Sequence, residues 1–548
     1  MTWNYHEDSE WKEANLLKRS GGEWVPIDES EPSDPDPTDE PPTLEDGELG
    51  SNYEHLGGPP TRSGDTLTVD ASGGADYTTI QAAIDAVSGD ETILVEPGTY
   101  NENLVIDENR PEGFTLQGNG ASREDVEVVG DGTQRVMLLG DFSISGNAES
   151  DVTSTLSRGD TFVPVASASG FEPGMDILIR DPNQEVNDGG DSVGIIEFQT
   201  IESIDTSPSG EDHLIIEHDQ GIVQEYTENS VDHIAREIDW KARDIHIDNM
   251  SFDGMSDGTH ESRQRYGVGL RVARDIWMTN LRFKRGAHQN ASAGWCWYTR
   301  WDNCRSEDTV RSSGVDRGYG FSLDSAGGAH LLTNVEHLDS NAYCVTFAGS
   351  HSNYYGGAHN RAYKAHAVNL NNYGFDTHEG GWECYFEHCT ATDCDGMGRI
   401  SAPGQRYLNC TMDGHSTHGI FRVTNYSYDC TINDFEAIGP GRDNDNYMIR
   451  FEHNVDFPPH HDFECRRWSM NFDSDFTDDS DVGSVGMVTS EPLGLTGYFI
   501  AEDIAWPVSD IVDKFETEEE FCSYTGGAGC DAISDGTLDI RTTDWQPE

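Results

Sequence analysis

The stretch YGFDTHEGG, residues 373–381, sets Asp376, His378 and Glu379 within four positions. Proton transfer to or from a sugar needs a group that titrates near the working pH. An imidazole or a carboxylic acid of raised pKa provides it. Other parts lie nearby. Asp324 in YGFSLDS supplies a further carboxylate, so Asp324 with Asp376 or Glu379 could make a hydrolase pair. GGAHNRAYKAHA supplies His359, Arg361 and His366, and Arg399 follows. His378 with Arg361 or Arg399 would suit a lyase, as the base and the cation that neutralises a uronate. GWCWYTRW adds Trp295 and Trp297, which could stack on sugar faces or pack beneath a loop. DSDFTDDSD lacks the Gly and the closing Glu of a calcium loop. No metal and no cofactor is called for.

Strands must position these groups. YGVGLRV, YGFSLDS, YCVTFAG, YGFDTHE and HGIFRVT alternate apolar and polar residues. Aligned on their first residues, Val268, Phe321, Val345, Phe375 and Ile420 point inward, and Arg422 breaks the inward face. Asp376 and His378 then share an outer face, with Asp324 two strands away in the column of His378. Stacked strands repeat at about 4.8 Å, so Asp324 and His378 lie about 10 Å apart, on either side of a sugar ring. The bland alternative is a row of solvated side chains.

Seven further segments share one shape: IDNMSF, MTNLRF, WDNCRS, LTNVEH, FEHCTA, YLNCTM and SYDCTI. Asn249, Asn280, Asn303, Asn334, His388, Asn409 and Asp429 precede an apolar residue or Cys. Asn and Asp tolerate the left-handed backbone of a tight corner. The last three recur at 21 and 20 residues, one coil of a repeating strand structure, and a coil is skipped between Asn334 and His388. Cys304, Cys389, Cys410 and Cys430 follow these corners. They are expected to be reduced, buried and stacked along one wall.

Composition narrows the function. Lys and Arg number 34 against 101 Asp and Glu, a net charge of −67. Nucleic acid and anionic membranes are excluded as partners, because both need clustered cations. Self-repulsion of this size is relieved by molar salt, which shortens the screening length to about 3 Å. The acidity reads as that of a halophile, or of a virus infecting one. The 11 cysteines form no CxxC pair, which argues against structural zinc. The N-terminus has no apolar signal region, and no stretch approaches a membrane span.

Along the chain, residues 1–28 form a small Trp-rich module and 29–64 an acidic, Pro-rich linker. The body opens with DYTTIQAAIDAV…ILVEPGTYNENLVI…FTLQGNG. This stretch resembles the start of pectin-lyase-like right-handed parallel β-helix proteins, in which a short helix caps the open end. The resemblance covers about residues 65–130 and implies an all-β fold whose outer sheet face forms a polysaccharide groove. Residues 151–228 look like a small β insertion, similar to those of β-helix enzymes and viral tail proteins. The β-helix start is then 65–150 and its body 229–461. Residues 462–548 read as a cap on the last coil or a separate β-rich domain, with a disulfide between Cys522 and Cys530 left open. GFDTHEGG also resembles an element of viral tail proteins, and WKEANLLKRSGGEWVPI is loosely similar to anchoring modules of tailed-virus fibres. Together these imply a virion spike or fibre of a virus of halophilic archaea. It would be a homotrimer, held to other virion proteins by residues 1–28 and engaging a host surface polysaccharide or glycoprotein. The alternatives are a stand-alone polysaccharide lyase or glycoside hydrolase, and a purely structural virion part.

Overall fold

In the computed structural model the described residues run from 58 to 438. Gaps fall at 110–111, 142, 144–145, 189–190, 208–209, 217–220, 225, 227–233, 256–266, 310–317, 325–326, 348–353, 356, 378–380, 415–419 and 425–426. Outside that span only strands are described. His378, Glu379, Cys522 and Cys530 lie outside the described residues. The chain separates into two units, Met1–Leu49 and Gly50–Glu548. In the first, Thr2–Glu7 pairs antiparallel with Glu10–Asn15, and Leu17–Ser20 with Glu23–Pro26.

In the second unit the strand Thr66–Val69 is followed by the helix Ile80–Ala86. Thr79 caps it by accepting from the amide of Ala82, and Glu102 accepts from the amides of Ile80 and Gln81 at 2.9 Å each. Ile80, Ala83 and Ile84 are buried against the first coil. Strands then stack in parallel into a 23-stranded sheet and an 11-stranded sheet. One ladder of the larger sheet runs through Ala242–Asp248, Ala273–Thr279, Trp297–Asp302, Gly328–Thr333 and Arg361–Tyr363. The smaller sheet runs through Tyr319–Asp324, Val345–Phe347, Tyr373–Thr377, Gly396–Ile400 and Phe421–Val423. The core between them is a continuous apolar column in which Phe347, Phe375 and Tyr407 pack on Phe386.

All seven expected corner residues have positive φ, from 50° at Asn303 to 54° at Asn249. Lys364, with φ 54°, makes the corner of the skipped coil. Asn303 donates to the side chain of Asn280 at 2.8 Å, linking successive corners. One assignment changes. Leu408 registers with Asn433, so the corner that follows Asn409 is Asp434, and Asp429 belongs to the corner column of His359 and Glu383. The cysteines divide in the same way. All of those described are buried and free. Cys304, Cys389 and Cys410 hold equivalent positions, whereas Cys430 aligns with Cys384 at the other corner.

The antiparallel insertion spans Glu149–Asp151 to Ile234–Glu237, wider than 151–228, and has its own core around Ile177, Ile179 and Leu214. The parallel ladder also passes residue 461. His460–Asn471, Leu495–Ala505 and Leu538–Thr543 continue it, where a cap or a separate β-rich domain was expected.

Candidate functional site

The predicted groups divide between the two sheets. Asp376 lies on the smaller sheet between Thr346 and Arg399. It faces outward as alternation requires, yet it is fully buried, so the expectation of an open carboxylate there is corrected. Its Oδ1 is 4.0 Å from Nε of Arg399, which also donates to Thr424 at 3.4 Å. Tyr343 stands beside both, its hydroxyl pushed up to about 12 by burial and by the charge of Asp376. Asp324 ends its strand one position beyond the last registered pair, Leu323 with Phe347.

The strand alignment holds at Phe321, Val345 and Phe375 but slips by one at HGIFRVT. Phe375 registers with Gly398, and Gly398 with Phe421. Phe421 and Val423 therefore fill the core, and Arg422 joins the outer column of Asp376 and Arg399. An arginine in the apolar core would carry a large desolvation cost, so burial of the two apolar neighbours sets the register.

His359, Arg361 and His366 lie on the larger sheet, away from Asp376. His359 is buried, with Nδ1 3.3 Å from Oε2 of Glu383, and Arg158 of the insertion pairs with the same glutamate. Arg361 pairs with Glu387. Half-exposed His366 has Nε2 3.1 Å from Oγ1 of Thr392. Trp295 and Trp297 are buried, with Phe198 of the insertion at 6.5 and 6.1 Å, so they are packing residues and not a sugar platform. Trp297 also stacks on Tyr298 at 4.7 Å, and the guanidinium of Arg274 sits over both rings.

A different set converges on the larger sheet. His246, Trp277 and Arg300 form one outer column, and Gln117, Asp248, Thr279 and Asp302 form the next. Asp248 accepts from Gln117 at 2.9 Å, Thr279 at 2.7 Å and Asn280 at 2.8 Å. The hydroxyl of Thr279, its proton directed at Asp248, lies 2.7 Å from Nε2 of His246. The imidazole must therefore donate from Nε2. Burial holds His246 below its ordinary pKa, opposed by Asp248. Asp302 is raised by desolvation, against the lowering effect of Arg300 at 3.9 Å and of Asn334. Asp248 and Asp302 are two strands apart in one column, about 9–10 Å by strand spacing. That is near the separation that leaves room for a water beside a sugar. Short Thr279 occupies the step between them.

The signal for this set stood in the corner motifs themselves. In IHIDN, IWMTN and TRWDN the residues one and three before the corner point outward by the same alternation, which puts His246, Asp248, Trp277, Thr279, Arg300 and Asp302 on one face.

No family model matches the chain. Pectinesterase/pectinesterase inhibitor 45 of Arabidopsis thaliana is 30% identical over 109 residues, 19% of this chain and 15% of that protein. The tailspike gp49 of Pseudomonas phage LKA1 superposes with a TM-score of 0.54 at 12% identity, over 78% of this chain and 74% of that one. The tailspike gp61 of Pseudomonas phage phi297 gives 0.52 at 13% identity, over 78% and 73%. The fold is a pectin-lyase-like right-handed parallel β-helix. In this β-helix the stacked coils carry the Asp248–Asp302 face, and the insertion packs at the starts of the same strands, with its Phe198 against Trp240 and Trp297 and its Asp176 paired with Arg274.

Proposed function

We propose that the chain is a virion spike whose β-helix engages a host-surface glycan and hydrolyses it on the Asp248–Asp302 face. The observation that carries the reading is the pairing of a half-buried carboxyl of raised pKa, Asp302, with a hydrogen-bonded carboxylate, Asp248, in one outer column. Asp302 gives its proton to the leaving oxygen. Asp248, held by its donors, takes one from a water lying between the two, so the configuration at the sugar inverts. Arg300, partly exposed, flanks the pair and offers hydrogen-bond donors. The tailspike folds support the spike assignment, and the charge of −67 supports a virus of halophilic archaea. In this reading the spike is a homotrimer and residues 1–28 attach it to the virion. The test is reducing-end release from isolated host polysaccharide by the parent protein and by Asp302→Asn. Cutting that survives the substitution unchanged would end the hydrolase reading, and absence of adsorption to the host glycan would end both parts.

A further inference from the structure

Past the corner residues Asn303, Asn334, Lys364, His388 and Asn409 the larger sheet has a second ladder. It runs through Arg305–Glu307, Glu336–Ser340, His366–Leu370, Thr390–Thr392 and Thr411–Asp413. One outer column holds Glu336, His366, Thr390 and Thr411, and the next holds Leu338, Val368, Thr392 and Asp413. All are partly exposed except Asp413, which is fully so. Across three consecutive coils a carboxylate, an imidazole and a hydroxyl stand in line. Oγ1 of Thr392 is 3.1 Å from Nε2 of His366. Nδ1 of the same ring is 3.8 Å from Oε1 of Glu336, and Nη1 of Arg305 is 3.5 Å from the other oxygen of that carboxylate. Residues in register face the same way one strand apart, so stacking alone brings the three together.

We infer that Thr392, His366 and Glu336 form an acyl-transfer site for esters of short, uncharged acids. A nucleophile in reach of a base, itself oriented by a third group, is the arrangement this chemistry needs. The base–orienter contact shortens when substrate is bound. With its proton on Nδ1, toward Glu336, the ring accepts from the Thr392 hydroxyl. Oγ1 bonds to the acyl carbon as its proton passes to Nε2. The bond from that carbon to the alcohol oxygen breaks, and the alcohol leaves with the proton from Nε2. Water then attacks the acyl-threonine and gives a proton to Nε2, and Oγ1 leaves and takes that proton back. The products are the alcohol and the carboxylic acid. The hydroxyls of Thr390 and Thr411, on the same face beside Thr392, donate to the oxyanion. Val368 is in register with Thr392 and Leu338 follows it, an apolar seat for a short acyl chain. Asp413 on the other side of Thr392 disfavours an anionic acyl group. None of this draws on the Asp248–Asp302 face.

Hydrolysis of p-nitrophenyl acetate and of the mono-p-nitrophenyl ester of succinic acid tests the inference, since neither contains a glycosidic bond. The parent protein should cleave the acetate well above the buffer rate and the succinate more slowly. Acid quenching during turnover should leave an acetyl group on the peptide that contains Thr392, read by tandem mass spectrometry. Thr392→Val should return the rate to that of buffer with unfolding temperature preserved, and Thr392→Ser should keep both turnover and the acetyl group. His366→Gln should cost about 10²-fold or more. Glu336→Gln should lower kcat and leave KM unchanged, as expected of a positioning residue. Cleavage of the acetate at the buffer rate, turnover indifferent to Thr392→Val, or an acetyl group found only on lysines would overturn the assignment.

Discussion

The hydroxyl of Thr279 lies 2.7 Å from Nε2 of His246 on the neighbouring strand and donates to Asp248 on that same strand. A histidine of lowered pKa is thereby linked to a carboxylate through one side chain. Thr279→Val keeps the shape and removes the link. Expected is a loss of hydrolysis of roughly tenfold with little change in unfolding temperature. Asp302→Asn, which removes the proton donor, should cost about 10²–10⁴-fold. Because Asp302 acts protonated and its pKa is raised, activity should persist to higher pH than an ordinary aspartic acid permits and fall as pH rises through that value. A pH–rate profile on host polysaccharide reads both effects.

Glu197 lies in the core of the insertion, its pKa raised to about 7 by burial despite donors from Gln199, Gln224 and Val223. The folded state therefore keeps a proton that the unfolded state releases above about 4.5. Stability from this group is fully present below that value and is lost as pH rises through about 7, a change of about 3 kcal/mol. Glu197→Gln should flatten the dependence. Urea midpoints from pH 4 to 8 for the two proteins provide the comparison, and parallel curves would contradict it.

The corners carry their own test. Asn280 has φ 53°, donates to Asp248, and accepts from Asn303. Asn280→Val combines a β-branched side chain with a left-handed backbone and should destabilise by about 2–4 kcal/mol. Asn280→Gly keeps the backbone free and loses only the hydrogen bonds, so it should cost about half as much. Thermal unfolding of the pair distinguishes strain from bonding.

Dilution of salt should lower the unfolding temperature steeply, because the repulsion of −67 is no longer screened. A curve of melting temperature against sodium chloride, from millimolar to molar, measures this. A flat curve would remove the argument for a halophilic origin.

Much of the fold was legible in the sequence because a β-helix repeats local rules. Period-two alternation placed Phe321, Val345 and Phe375 inward in register, and residues tolerant of positive φ marked the corners from Asn249 to Asn409. Each of these is decided within a few residues, by strand pleat or by backbone sterics. The same rules applied to His246, Asp248 and Asp302 would have found the polar face.

What the tertiary structure decided was how far apart in sequence the neighbours in space are. A loop or insertion of any length can separate two coils without changing their stacking, so spacing alone set Asp429 after Asn409 when the register sets Asp434 there. Likewise, Arg422 entered the column of Asp376 because burying Phe421 and Val423 fixed its strand one residue along. Burial on the outer face was illegible for the same reason. Alternation says that Asp376 leaves the core, and the sequence leaves Trp295 and Trp297 open between sugar stacking and packing, but only the packing of distant segments, such as Phe198 against both tryptophans, decides whether water reaches them.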